Sequence, residues 1–279
     1  MQLQFDHLVH YVNSDMRETV RRLQQAGLAG VPGGRHDRFG TYNSLCYFDL
    51  SYIEYLGVED ADLCRSLAHD NRFLGQLMED LPRGEGFGTV ALRTDRIDEA
   101  ARHLQSQGVR VTGPFDGQRT RPDGSVLRWK MLLPESGESK VPMPFLIQWE
   151  QSDEVRRIEN RERGLLLPHP RGDLRVRDVS YAVHDLEKTA ALWQRWYGFQ
   201  PKEMYVDEGL RAQCLEFPLA GGGLRLCSPL QQEQAEQRSA SVLTTVLQKR
   251  QERPFLIRFT GFTGDQQEEV CGGLYHFSY

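Results

Sequence analysis

The chain has 279 residues, 39% of them hydrophobic, and its 34 lysines and arginines are outnumbered by 39 aspartates and glutamates for a net charge of -5. That length and apolar share suffice for one large or two modest cores, and the acidic balance argues against a nucleic-acid partner. No apolar run nears the roughly 18 residues of a membrane span, and five widely spaced cysteines without a CxxC pair argue against a zinc knuckle or a redox motif.

The opening MQLQFDHLVH has no basic n-region, long apolar core or cleavage site, which predicts a cytoplasmic protein without a signal peptide. FDHLVHYV, Phe5 to Val12, reads as an apolar strand carrying two histidines. Strand alternation puts His7 on the face of Phe5 and Val9, and His10 on the face of Leu8 and Val12. A helix follows with Met16, Val20 and Leu23 on one stripe, Asp15 and Glu18 as a capping pair, and Gly27 as its stop. TYNSLCYFDL and SYIEYLGV are two β-rich runs. In GGRHDRFGTYNS, before and into the first of them, His36, Thr41 and Asn43 are candidate substrate contacts on a Gly-flanked segment, or ordinary turn chemistry.

After a mixed, partly helical stretch from Glu59 to Gly84, the pattern repeats. GFGTVALRT is a strand, Ile97, Ala100, Ala101 and Leu104 form a helical stripe that Asp95 can cap, and Gly108 ends it. QRTRPDGSVLRWKMLLP reads as a hairpin turning at Asp123-Gly124. It carries Arg119, Arg121 and Trp129, which suit a carboxylate and an apolar ligand face or a solvated strand face. FLIQWE, Phe145 to Glu150, closes the unit. Residues 151–174 are charged and read as a linker.

VRDVSYAV, the helix of Leu186, Ala190 and Trp193 after Asp185, the stop at Gly198, and the strands AQCLEFPLA and GLRLCSP make a third unit. PFLIRFTGF opens a partial fourth, for which GGLYHFSY supplies one closing strand. The grammar is strand, helix, three strands. It predicts an α+β fold of repeated βαβββ units paired into curved mixed β-sheets, with helices outside. The expected organisation is a domain over 1–150 with two units, the linker 151–174, and a degenerate domain over 175–279.

A paired βαβββ unit resembles the vicinal oxygen chelate superfamily of glyoxalase I, extradiol dioxygenases and bleomycin-resistance proteins. Residues 1–150 are similar to its glyoxalase-like domain through DHLVH at Asp6 to His10, GTYNSL at Gly40 to Leu45, YIEYLG at Tyr52 to Gly57, and FLIQWE. The resemblance implies a cup with metal ligands on the first and last strands of each unit, at His7, Glu54, Thr89 and Gln148. Thr89 is a poor ligand, so His7, Glu54 and Gln148 would hold a divalent ion (Zn, Ni, Mn, Fe or Mg), with Glu54 or Glu150 moving a proton. A lyase, isomerase or dioxygenase acting on a small oxygen-rich metabolite is the implied activity. The alternative is a metal-free binding or drug-sequestering protein with a cup lined by Tyr42, Tyr47, Tyr52 and Trp149. The implied partner is a small molecule, with neither nucleic acid nor membrane, and a homodimer is compatible with the pattern. Val179 falls where His7 stands, so one site is expected, in the first half.

Overall fold

The computed structural model describes residues 1–120, 124–230 and 241–279. The first unit runs β1 (Gln4–Tyr11), α1 (Met16–Gln25), β2 (Gly30–His36), β3 (Thr41–Phe48) and β4 (Ser51–Val58). Then come α2 (Ala61–Ala68), α3 (Arg72–Asp80) and a single 3-10 turn. The second unit is β5 (Gly86–Arg93), α4 (Ile97–Ser106), β6 (Arg110–Thr120), β7 (Val126–Glu135) and β8 (Phe145–Trp149), followed by α5 (Asp153–Glu162). The third is β9 (Arg175–Ala182), α6 (Leu186–Tyr197), β10 (Tyr205–Asp207), β11 (Ala212–Phe217) and β12 (Gly223–Pro229). After α7 (Val242–Arg250), β13 (Arg253–Thr260), β14 (Gln266–Val270) and β15 (Gly273–Phe277) form the fourth. The expected α+β architecture of paired units is therefore present. The fourth unit closes with a hairpin, β14–β15, where one strand was expected.

Among the described residues the strands make two sheets, ordered β2-β3-β4-β1-β5-β8-β7-β6 and β10-β11-β12-β9-β13-β15-β14. In each, the opening strands of two units pair antiparallel at the centre, and the closing strand of a unit returns parallel to its own opening strand. The helix signals hold where side chains reach their own backbone. The Asp15 side chain accepts from Arg17 N and Glu18 N, and Asp185 from Lys188 N. Gly27, Gly108 and Gly198 take the left-handed conformation at φ +70, +77 and +70.

The helix-side faces of the two sheets meet in one apolar cluster that includes Phe5, Leu8, Val12, Leu23, Leu104, Val179, Trp193, Phe259 and Tyr275. His10 lies fully buried in this layer. Its Nε2 donates to Cys271 O at 2.8 Å, so its Nδ1 accepts from Tyr275 Oη at 2.9 Å, and Tyr55 Oη donates in turn to Tyr275 Oη at 2.8 Å. One buried, one-way hydrogen-bond chain thus joins β1 and β4 to the last strand.

Two β-bulges set the faces. Phe5 pairs with Leu92 and His7 with Ala91, leaving Asp6 as the extra residue. The bulge breaks alternation, so Phe5 faces the helices while His7 and Val9 face the opposite, concave side. In β9, Val176 pairs with Phe259 and Asp178 with Arg258, leaving Arg177 extra. Asp178, not Val179, therefore occupies the place of His7 in the second sheet. The segment 151–174 is more than a linker. It carries α5, whose Arg157 forks onto Asp49 at 2.7 and 2.9 Å, and whose Arg156 is buried against the first sheet. No helix among the described residues is long and apolar enough to cross a membrane.

Candidate functional site

The concave face of the first sheet forms a cup of about 100 Å³, on the scale of a single-ring molecule. Tyr47, Tyr52, Trp129 and Trp149 line its walls, as do Phe39, Phe73, Leu74 and Phe115. The last four include the contribution of α3, which lies in the stretch that read only as partly helical. Its FLGQL run was the available signal.

The polar floor centres on His7, which is 3% exposed. Its ring stacks on Tyr52 at 4.5 Å and meets the edge of Phe145 at 5.6 Å. Its Nδ1 lies 2.7 Å from Asp6 Oδ1, and its Nε2 lies 3.7 Å from Glu54 Oε2. The bulge that turns His7 into the cup also places Asp6 behind it. There Asp6 accepts from Trp149 Nε1 at 2.9 Å and lies 3.7 Å from Arg156 and 4.0 Å from Arg93. Burial pushes the Asp6 carboxyl up, but the His7 hydrogen bond and the two guanidiniums outweigh it and hold the group below the ordinary carboxylate range. Asp6 thus remains an anion and holds the ring by its Nδ1, so Nε2 is the nitrogen turned to the cup. Sequence reasoning passed over Asp6, because strand alternation gave it no role.

Glu54 Oε1 accepts from Asn43 Nδ2 at 2.6 Å. Asn43 Oδ1 accepts from Gly34 N at 2.9 Å and faces Arg119 Nη1 at 3.5 Å. His36 Nδ1 pairs with Thr41 Oγ1 at 3.0 Å, and its Nε2 lies 3.5 Å from Asn43 Nδ2. Burial holds the His36 imidazole below its ordinary value. A Cβ on Gly33 would stand 2.0 Å from Asn43 Oδ1, so only glycine lets β2 approach this closely. His7, His36, Thr41, Asn43, Glu54 and Trp129 are thus brought together on one cup, with Arg119 at its edge.

Other expected residues go elsewhere. On β8 it is Phe145, Ile147 and Trp149 that face the cup. Gln148 points to the helix side, where its Oε1 accepts from Ile97 N at 2.9 Å. It caps α4, whose N-cap residue Arg96 makes no side-chain cap bond, so the expected Asp95 cap is replaced by one from a distant strand. Gln148→Ala is therefore expected to cost about 1 kcal/mol of stability, read by urea unfolding, and to leave ligand binding in the cup unchanged. Glu150 is exposed beside Arg128 at 3.7 Å, outside the cup. Thr89 Oγ1 bonds Met143 O at 3.4 Å in a separate, smaller cleft. Tyr42 turns to the helix side, donating to Ser14 O at 2.8 Å. Arg121 lies outside the described residues.

The donor set does not fit a catalytic zinc, which takes three protein ligands: among the described residues no three His, Cys, Asp or Glu side chains converge in that way. With Gln148 turned away, Ala91 and Ile147 supply the wall beside His7. What the floor can do is acid–base work. An imidazole with an oriented, free Nε2 and a carboxylate across a 3.7 Å gap can accept and return a proton.

The sequence profile of the glyoxalase-like domain matches residues 5–197. No curated protein matches the chain. Among solved structures, a hypothetical protein from Staphylococcus aureus superposes with a TM-score of 0.79 at 21% identity, over 99% of this chain and 100% of that one. A variant of 4-hydroxymandelate synthase from Streptomyces coelicolor superposes with a TM-score of 0.57 at 11% identity, over 93% of this chain and 71% of that one. Identities this low establish a shared fold.

Proposed function

The chain belongs to the glyoxalase-like domain family of the vicinal oxygen chelate superfamily, and on that premise we propose that its cup binds a small organic acid with an aromatic or branched apolar body and moves a proton on it. The observation that carries this reading is the line Asp6–His7–Glu54 at the floor of an aromatic-walled hollow. Aromatic and aliphatic walls favour an apolar body, contributing about 25 cal/mol per Å² removed from water. Arg119 has no carboxylate within ion-pair reach among the described residues, and it shares Asn43 with Glu54. A carboxylate on that guanidinium directs the rest of the ligand past Asn43 and Glu54 toward His7.

In this arrangement His7 Nε2 takes the proton. The imidazolium it becomes is flanked by two carboxylates, Asp6 on one nitrogen and Glu54 beside the other, which stabilises the charge where it forms. Asn43 holds Glu54 in place from behind.

The test uses a panel of aromatic and branched carboxylic acids in deuterated buffer, with binding and carbon-bound hydrogen exchange both followed by NMR. The wild type is expected to bind some of them and catalyse exchange. His7→Gln should still bind but exchange at least about 100-fold more slowly. Arg119→Gln should weaken binding about tenfold or more, the worth of a charge-assisted hydrogen bond. Binding with no exchange in any acid would make the protein a sequestering cup. An absence of binding across the panel would overturn the reading altogether.

A further inference from the structure

The second sheet holds a pair of thiols that the cup chemistry leaves unused. Cys214 on β11 stands directly opposite Cys227 on the adjacent antiparallel strand β12. Their sulfurs are 3.3 Å apart in a thiol–thiol hydrogen bond, and all five cysteines of the chain are free. Residues paired across antiparallel strands have Cα atoms about 4.5–5.5 Å apart, inside the span a disulfide bridges. Closing the sulfurs to bonding distance therefore needs side-chain rotation and not strand movement.

A second observation marks this pair. Arg225 lies two residues before Cys227, on the same face of β12 and beside both sulfurs. It is fully buried, yet among the described residues its Nη2 has no hydrogen-bond partner. Its Nε and Nη1 are engaged by Ser180 at 2.8 Å and Asp207 at 2.8 Å. A buried cation with a spare donor beside two thiols favours the thiolate of one of them.

We propose that Cys214 and Cys227 are a peroxide-responsive dithiol that closes to a cross-strand disulfide. The Cys214 thiolate attacks one oxygen of a hydroperoxide. The O–O bond breaks, hydroxide leaves, and the sulfur becomes a sulfenic acid. Cys227 sulfur then attacks that sulfur, the S–S bond forms, and the second hydroxide departs. The two hydroxides take up the two thiol protons as water, so two thiols are oxidised and one peroxide is reduced. The Cys227 hydrogen bond and the Arg225 charge lower the Cys214 thiol despite its burial, while Cys227 is raised, so the attacking sulfur is Cys214. Burial alone pushes up Cys46, and burial leads the rise of Cys64 and of Cys271, the last to about 11. Those three are the poorer nucleophiles. Both side chains are fully buried, so a peroxide reaches them by local opening of this edge of the sheet, where among the described residues the three-residue β10 alone lies outside β11.

The experiment treats the folded full chain with hydrogen peroxide, quenches with catalase, unfolds it in iodoacetamide, and maps peptides without reductant. Two of the five thiols should become resistant to alkylation, the chain should be lighter by two hydrogen masses, and one linked peptide pair should contain Cys214 and Cys227. Dithiothreitol should restore all five. The same treatment in urea should form the link far more slowly, because the fold supplies the proximity. Cys214→Ser should leave Cys227 alkylatable. The proposal is overturned if both thiols still alkylate at peroxide doses that oxidise the methionines. It is equally overturned if the link forms as fast in urea, or if the cross-link joins other cysteines. The urea comparison on the wild type decides even where the serine variant does not fold.

Discussion

Replacing Asp178 by alanine is expected to cost about 3–5 kcal/mol of folding stability, the usual consequence of breaking a buried ion pair from one side. Asp178 sits where His7 sits in the first sheet, but its surroundings are ionic. Its carboxylate accepts from Arg258 Nε at 2.9 Å and Nη2 at 2.6 Å, with Arg225 Nε at 3.9 Å and Arg177 Nε at 3.7 Å. Glu216 shares Arg258 Nη2 at 2.6 Å; burial pushes its carboxyl up, yet the bonds from Arg258 and Tyr205 hold it near 2. Removing Asp178 leaves Arg225 and Arg258 facing one another with a carboxylate lost from between them. A urea midpoint that falls with an unchanged slope would measure the loss. The paired replacement Asp178→Leu with Arg258→Met should recover most of it, since exchanging a whole buried pair for apolar groups is often near neutral. A single-variant loss below about 1 kcal/mol, or a double variant as unstable as the single, would show the network to be stabilising in some other way.

Acid should weaken the protein through His10. Burial holds this imidazole down from 6.5 to about 3, against the opposing pull of the Cys271 carbonyl and with help from the Arg250 and Arg22 charges. The unfolded chain takes up the proton near 6.5 and the folded one does not until about 3, so between those values the unfolded state binds more protons. Stability therefore rises with pH across that window. The contribution is complete above 6.5 and is lost as pH falls toward 3, at up to roughly 1.4 kcal/mol per unit. Protonation would also leave Tyr275 without its acceptor. Urea midpoints at intervals from pH 7 to pH 4 should show the slope in the wild type. In His10→Asn the slope should flatten by about one proton's worth, whatever the variant's stability at neutral pH. An unchanged slope would mean that other groups carry the acid sensitivity.

The architecture was legible because it is periodic. Three copies of one strand–helix–glycine grammar stand in the chain, and the caps at Asp15 and Asp185 are local events that sequence spacing encodes. The candidate site was half legible. His7, Glu54, His36, Thr41, Asn43 and Trp129 do share a cup, but the strand parity that placed them fails at a bulge, and neither Asp6 nor Arg177 announces itself as one. A single inserted residue moves Phe5 to the other face and shifts the His7 counterpart from Val179 to Asp178. Gln148 was assigned to the cup from the motif LIQWE, yet the next residue on either side is the one that faces inward. Its true partner, the amide of Ile97, is 51 residues away in sequence. The sequence leaves β2 between substrate contacts and turn chemistry, since Gly33 and Gly34 belong to turns in most contexts. Here they let a strand close on Asn43, a reason visible only once both are in place.

The hydrogen-bond chain through His10 carries a further consequence for how the chain matures. The groups that satisfy this imidazole lie 261 and 265 residues downstream, on the final hairpin. On the ribosome, the opening strand emerges long before Cys271 and Tyr275 are made. Until then His10 and Tyr55 face the apolar layer with their polar atoms unanswered, or stay in water with that layer unbuilt. The first sheet thus waits for a hairpin translated long after it, and a nascent or shortened chain lacking that hairpin would be a natural client for chaperones and proteases.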